Sequence, residues 1–306
     1  MKLDGIHHIT AITADASGNV MFYAGTLGLR LVKKTVNQDD PTVYHLFYGD
    51  DEGHPGLDLT FFEYPRARRG TPGGGMVHRI DWRVGSQRAL DFWMRRLADA
   101  DVAVDRDEAR LRFSDPEGLA HAFVVDTSGD APLTADHPDI PKEFALRGFD
   151  GVRAYSPDPQ ASAKLLEEVL GFTRSEAGWQ SRGDRRRSSY TFDRASHTGR
   201  MGAGAVHHVA WTSSDQDHPE WHRRLVAAET NASPVIDRFY FRSIYFNEPS
   251  GVLFEIATDG PGFAADEPLD ALGERLSLPP RFEPLRDRLE QELTPLPNPR
   301  AVGGPR

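Results

Sequence analysis

The chain has 306 residues, with 36 Lys and Arg against 46 Asp and Glu, for a net charge of −10. At about 150 residues per domain this is two domains' worth of chain, and the acidic balance argues against a nucleic-acid or anionic-membrane partner, which would need a basic face. There is no Cys, which excludes disulfides, thiolate metal sites and a cysteine nucleophile, while 12 His remain available.

The opening MKLDGIHHITAIT reads as a charged, then apolar strand rather than a secretory leader. No apolar run approaches the about 18 residues of a membrane span, and a cytoplasmic protein is the expectation. Residues 5–32 (GIHHITAITADASGNVMFYAGTLGLRLV) have a counterpart in 148–175 (GFDGVRAYSPDPQASAKLLEEVLGFTRS). Each reads as strand, turn, helix and strand, with Gly28 and Gly171 where a helix end wants Gly. A second pair follows: 76–102 (MVHRIDWRVGSQRALDFWMRRLADADV) aligns with 205–231 (AVHHVAWTSSDQDHPEWHRRLVAAETN). In 87–98, Leu90, Trp93, Met94 and Leu97 fall at helical spacing. Both members run on to a strand closed by a Gly turn, 113–127 and 246–260, in which Pro116, Gly118 and Asp126 match Pro249, Gly251 and Asp259.

The order is therefore module A, module B, then A and B again. The expected fold is α+β: four βαβββ modules paired into two domains, with curved mixed sheets enclosing a cavity. The expected division is 1–130 as the first two-module domain, 131–147 as a Pro- and Asp-rich linker, 148–262 as the second domain, and 263–306 as a tail with a helix over LPPRFEPLRDRLEQEL.

Two dipeptides, His7-His8 and His207-His208, stand at corresponding places in the first strands of their modules. A strand sends neighbours to opposite faces, so one His of each pair is expected in a given cavity. His8 travels with Thr10, and His208 with Ala210 and Thr212, the smaller and more polar face. His7 travels with Ile9 and Ala11, and His207 with Val209 and Trp211. The inward pair is accordingly His8 and His208. Glu255 interrupts the apolar run VLFEIATD and needs a partner, because burying a lone carboxylate costs several kcal/mol. A salt bridge to Arg238 or Arg242 is one partner; a divalent metal shared with the two imidazoles is the other. Such a set suits Fe(II) used for oxygen chemistry, with Mn(II) and Zn(II) fitting the same donors. The repeat positions of the three carry Gly151, Arg79 and Ala122, as a duplication that kept one site would leave them. His45, His54, His78, His121, His137, His197, His218 and His222 are read as ordinary hydrogen-bonded residues.

With GIHHIT near the start, AVHHVAW at the third quarter and PSGVLFEIATD near the end, the chain resembles the vicinal oxygen chelate superfamily of glyoxalases, bleomycin-resistance proteins and extradiol dioxygenases. It is most similar to the branch that opens hydroquinone rings, the tail LDALGERLSLPPRFEPLR included. The resemblance implies an Fe(II)-dependent ring-cleaving dioxygenase, with the metal on His8, His208 and Glu255 and with dioxygen and a small aromatic diol as substrates. It also implies supporting roles for His7, His207, Arg238 and Tyr245. Arg238 and Tyr245 have opposite strand parity, so both reach one cavity only if Arg238 precedes the regular strand or a bulge intervenes. Phe241, Phe246 and Leu253 are the apolar residues expected to receive the ring.

Other functions on this fold remain open. A glyoxalase-like lyase would want a second carboxylate from LDLTFFEYP. That segment aligns Thr60 with Glu255 and leaves Glu63 on the opposite parity. A resistance-type binding protein would lack metal ligands. Thiol-conjugating relatives are usually single two-module units. Neither nucleic acid nor membrane is expected as a partner, and paired modules are compatible with a homo-oligomer.

Overall fold

The computed structural model describes residues 1–195 and 197–297. Each module contributes four strands. The first has β1 (Ile6–Thr13), β2 (Arg30–Val36), β3 (Tyr44–Gly49) and β4 (Asp58–Glu63). The second has β5 (Met76–Val84), β6 (Asp105–Arg106), β7 (Arg110–Ser114) and β8 (Ala120–Val125). The third has β9 (Phe149–Ser156), β10 (Thr173–Ser175), β11 (Gly178–Arg182) and β12 (Arg187–Arg194). The fourth has β13 (Val206–Ser213), β14 (Ile236–Asp237), β15 (Arg242–Asn247) and β16 (Leu253–Thr258).

Helices cover the outer faces because their apolar stripes match the outward parity of the strands. The first, α1 (Ala16–Val20), starts at Asp15, whose carboxylate accepts from Gly18 N. It widens into a π-turn over Met21–Thr26. Gly28 at φ +71° then turns the chain into β2, as Gly171 at φ +72° does in the third module. The second, α2 (Gln87–Asp99), is capped by Ser86 and buries Leu90, Trp93 and Leu97. The third, α3 (His218–Ala227), buries Trp221 and Leu225.

The strand orders are β14-β15-β16-β13-β1-β4-β3-β2 and β10-β11-β12-β9-β5-β8-β7-β6. The curved mixed sheets are those expected, but they are not owned by the chain halves 1–130 and 148–262. The first module joins the fourth through the antiparallel pair β1–β13, and the second joins the third through β5–β9. A module's first strand is paired on one side by its own last strand and is open on the other, and the open edges of distant modules meet. Nor is 131–147 a bare linker. Ile140, Ala145 and Leu146 are buried, and Phe144 O accepts from Trp93 Nε1 at 2.8 Å.

The tail returns to the open edge of the first sheet, where Leu276 bridges Lys34. Lys33, fully buried, donates to Phe263 O at 3.0 Å and Asp266 Oδ1 at 2.7 Å and pairs with Glu267. A short helix, α4 (Arg286–Glu292), follows. Among the described residues no helix is long and apolar enough to cross a membrane.

Candidate metal centre

The centre lies where β1 and β13 pair, and two register breaks make it. Ile6 pairs with Trp211 and Ile9 with Val209, so His7 and His8 together oppose a single residue. Thr10 pairs with His208 and Ala11 with Val206, leaving His207 unopposed. An extra residue in one strand re-aims its side chains. Simple alternation, which separates the members of each dipeptide, therefore fails at both. His7 Nδ1 lies 2.9 Å from His8 Nδ1, and His207 Nδ1 lies 2.8 Å from His208 Nδ1.

The far nitrogens of His8 and His208 converge with Glu255. His8 Nε2 and His208 Nε2 are 3.2 Å apart, and Glu255 Oε2 is 3.2 Å from the first and 3.0 Å from the second. All three side chains are buried. Glu255 Oε1 accepts from Ser243 Oγ at 2.5 Å, whereas Oε2 has no hydrogen-bond partner among the described residues. Neither Arg238 nor Arg242 pairs with this carboxylate; they reach Asp39 and Asp215 instead. Burial pushes the Glu255 carboxyl up, but the His8 and His208 imidazoles pull it harder the other way, well below the usual carboxylate range. Burial also lowers His208.

Hydrogen bonds fix the tautomers on one side. Thr258 O can only accept, so His7 Nε2, 3.1 Å away, carries a proton toward it. His7 Nδ1 is then the acceptor for His8 Nδ1–H, and the His8 Nε2 lone pair faces the centre. Burial, with His8 next, lowers His7 to about 3; the same causes, burial and His208, lower His207 to about 4. The donor set is thus two imidazoles and an anionic oxygen with edges near 3 Å. Those are the edges of one face of an octahedron with metal–ligand bonds of about 2.1 Å. The residues fit a divalent metal, each imidazole backed by a second imidazole in the manner of an outer-shell partner. A second buried carboxylate, Asp58, pairs in register with His8 and has ligand atoms within 4.8 Å of His7 and His8. Burial raises it well above the usual range, and sequence reasoning overlooked it.

Tyr245 pairs with Glu255 across β15–β16, so both face the centre. Arg238 sits on the other limb of a tight hairpin, with Asp237 opposite Arg242 and Phe239 at φ +71° in the turn. Parity counted along one strand does not carry through a hairpin, and Arg238 Nε donates to Tyr245 OH at 3.2 Å. Arg238 Nη1 also donates to Asp39 Oδ1 at 3.1 Å, and Gln38 Nε2 donates to Arg238 O at 2.6 Å. These bonds clasp the β2–β3 loop to the hairpin over the cavity. The Tyr245 phenol is raised by burial and by Glu255, against a smaller opposing pull from Arg238.

The cavity beside the centre is about 40 Å³ and is lined by His8, His208, Tyr245, Arg238, Phe241 and, from the first module, Thr35, His45, Phe47 and Phe62. His45, read from sequence as ordinary, is therefore a cavity residue. The usable signal was its place beside Phe47 on one face of β3. Of the three apolar residues expected around a ring, Phe241 lines this cavity, 5.1 Å from the His8 ring. Phe246 and Leu253 instead line a cleft of about 550 Å³ beside the third-module helix, which Tyr245 borders as well. The register places Thr60 beside Thr10 as Glu255 lies beside Ala210. Thr60 Oγ1 bonds Thr10 Oγ1 at 2.8 Å, and Glu63 turns away to accept from Ala16 N.

The family model for the Glyoxalase/Bleomycin resistance protein/Dioxygenase superfamily matches residues 5–124 and 148–256, and the chain belongs to that superfamily. A Bacillus subtilis protein named as a candidate ring-cleaving dioxygenase, MhqO, is 40% identical over 96% of this chain and 97% of its own. The chlorohydroquinone/hydroquinone 1,2-dioxygenase of Sphingobium indicum is 32% identical over 94% and 95%. A crystal structure of a candidate dioxygenase from Bacillus subtilis superposes with a TM-score of 0.91 at 40% identity, covering 97% of this chain and 98% of that one. Glyoxalase I from Zea mays shares the fold, at a TM-score of 0.60 and 13% identity over 83% of this chain and 92% of that one.

Proposed function

We propose that the protein is an Fe(II)-dependent extradiol-type dioxygenase that opens the ring of a hydroquinone or catechol-like aromatic, with His8, His208 and Glu255 holding the metal. The observation that carries this reading is the convergence of these three tips beside an aromatic-lined cavity that His8, His208, Tyr245 and Arg238 all line. Fe(II) there would lower the pKa of a bound phenol and bring substrate and dioxygen to neighbouring positions; Mn(II) suits the same donors.

The chain's own groups have separable tasks. His7 and His207 hold the two ligand imidazoles by their inner nitrogens. Tyr245, kept protonated by burial, donates to a substrate oxygen at the centre or returns a proton to it. Arg238 stabilises negative charge that develops on the ring-opened species. Phe241 and Phe62 cover the ring, and the clasp of Gln38 and Asp39 on Arg238 keeps bulk water out. The cavity is small against the about 300–1,000 Å³ of drug-sized ligand sites, which disfavours large substrates.

The test is oxygen uptake by protein loaded anaerobically with Fe(II) and given hydroquinones and catechols. Uptake with a diol supports the reading; none with any diol, despite bound iron, overturns it. The lyase alternative is disfavoured because Thr60, a hydroxyl, occupies the register where a second acid would be needed. Turnover of a glyoxalase-type substrate with Ni(II) or Zn(II) in the absence of oxygen would restore it.

A further inference from the structure

A second cavity, of about 230 Å³, forms where the first module, the 131–147 segment, the β11–β12 turn and β13 meet, and it shares no lining residue with the cavity beside the metal centre. Its wall carries two guanidiniums that are not equivalent. Arg185 is committed: its Nε donates to Asp4 Oδ2 at 2.5 Å, and its Nη2 donates to the two oxygens of Asp259 at 3.0 and 2.9 Å. Asp4 also accepts from the backbone N–H groups of Arg185 and Arg186 at 2.9 and 2.8 Å, so this acid holds the turn.

Arg186 makes no ion pair among the described residues. Its Nη2 donates to Ala131 O at 2.5 Å, and its buried Nη1 has no hydrogen-bond partner among the described residues. The acids whose charge reaches it are each held by another cation: Asp4 by Arg185, Asp50 by His54 at 2.8 Å, and Asp130 by Arg83 at 2.7 Å. Burial and the Arg83 charge outweigh these acids and pull the guanidinium below its ordinary value. An uncompensated, half-buried cation is out of keeping with a chain whose net charge is −10. The fold nonetheless keeps room for it. A Cβ at Gly56 would stand 2.8 Å from Arg186 Cδ and 2.9 Å from its Nε, and a Cβ at Gly148 would stand 3.4 Å from its Nη1, so two positions without a side chain cradle the guanidinium.

Thr212 lines the same cavity at 2% exposure, and its Oγ1 has no hydrogen-bond partner among the described residues. An unmet buried hydroxyl and a guanidinium without a counter-ion both cost free energy until an acceptor reaches them. One oxyanion satisfies both, and its bonds to the guanidinium are of the stronger, charge-assisted kind. Pro55 and Leu133 add an apolar wall. We propose that this cavity is a binding site for a small oxyanion, with Arg186 as its counter-charge, Thr212 as a further donor, and Pro55 and Leu133 beside the short apolar body of a carboxylate.

The experiment is calorimetric titration of the full chain, stripped of metal, with butyrate, with inorganic phosphate, and with 1-butanol as the uncharged control. At least one anion is expected to saturate a single site, and butanol is not. Arg186→Gln should weaken that binding about tenfold or more, and Thr212→Val should weaken it less. Arg238→Gln, which removes the cation of the other cavity, should leave it unchanged. Leu133→Trp fills the cavity and keeps every charge; it should weaken binding too, and it decides the matter should Arg186→Gln fail to fold. Tighter butyrate identifies a carboxylate with an apolar body and tighter phosphate a bare anion, and either supports the site. No saturable binding of either anion, or an affinity that survives both Arg186→Gln and Leu133→Trp, overturns the proposal. The readout involves neither the metal nor oxygen uptake, so it stands or falls apart from the dioxygenase reading.

Discussion

The two sheets carry the same frame at their centres and put it to different use. In the second sheet β5 and β9 break register at the matching places. His78 is unopposed between the pairs Val77–Ala154 and Arg79–Arg153, and Asp150 is unopposed between Asp81–Gly151 and Trp82–Phe149. The three converging positions hold Gly151, Arg79 and Ala122. Arg79 closes on Asp81 with bonds of 2.6 and 3.0 Å, and Arg153 closes on Asp193, which also pairs with His78 at 2.9 Å. A Cβ at Gly151 would stand 2.3 Å from Ser189 O, so the place that His8 fills in the first sheet is closed here by the neighbouring strand. Bulges that aim side chains inward are thus common to both sheets. On the proposed reading, what separates them is whether the aimed groups take an external cation or bring their own.

The largest expected effect separates the two centres outright. Glu255→Gln or His208→Ala should lower Fe(II) affinity by about a hundredfold or more and abolish oxygen uptake, since a ligand weighs more than an outer-shell partner. Arg79→Ala, at the matching place in the second sheet, should leave metal content unchanged. Metal analysis after dialysis reads both, and equal losses in the two sheets would erase the distinction. Next is His7→Phe, which removes the acceptor behind His8 and should weaken metal binding by about 10–100-fold. Asp150→Asn, its counterpart, should not affect metal at all.

The third prediction reverses the pattern. Gly151→Ala should destabilise the fold by about 1–3 kcal/mol through overpacking, seen as a lower urea midpoint, while metal affinity holds.

The smallest effect concerns protons. His121 accepts from Trp82 Nε1 at 3.0 Å and meets Tyr23 OH at 3.0 Å, whereas its counterpart Phe254 is apolar and Trp211 Nε1 has no hydrogen-bond partner among the described residues. Burial lowers His121 from 6.5 to about 3. The unfolded chain therefore takes up the proton first. The contribution of neutral His121 is complete above pH 6.5 and declines as pH falls from 6.5 toward 3. Urea midpoints of His121→Phe against wild type, measured from pH 7 downward, should fall less steeply in the variant. Parallel slopes would remove His121 as the source.

Much of this arrangement was legible in the residues. Repeats at matching spacing marked four modules, and local periodicity marked α2, because both are properties of neighbours in the chain. An acid inside VLFEIATD and two His pairs at equivalent places picked out Glu255, His8 and His208, since a buried carboxylate has few ways to be satisfied. The rest was settled between strands far apart in sequence. Alternation set His7 and His207 aside until bulges against a distant partner turned them inward, and it doubted Arg238 until a hairpin put it on the other limb. His45 looked ordinary alone and became a wall of the cavity once β3 curved around toward β13. Periodicity is a one-strand rule, whereas which modules share a sheet, and what a side chain meets across it, depends on pairing that no single segment contains.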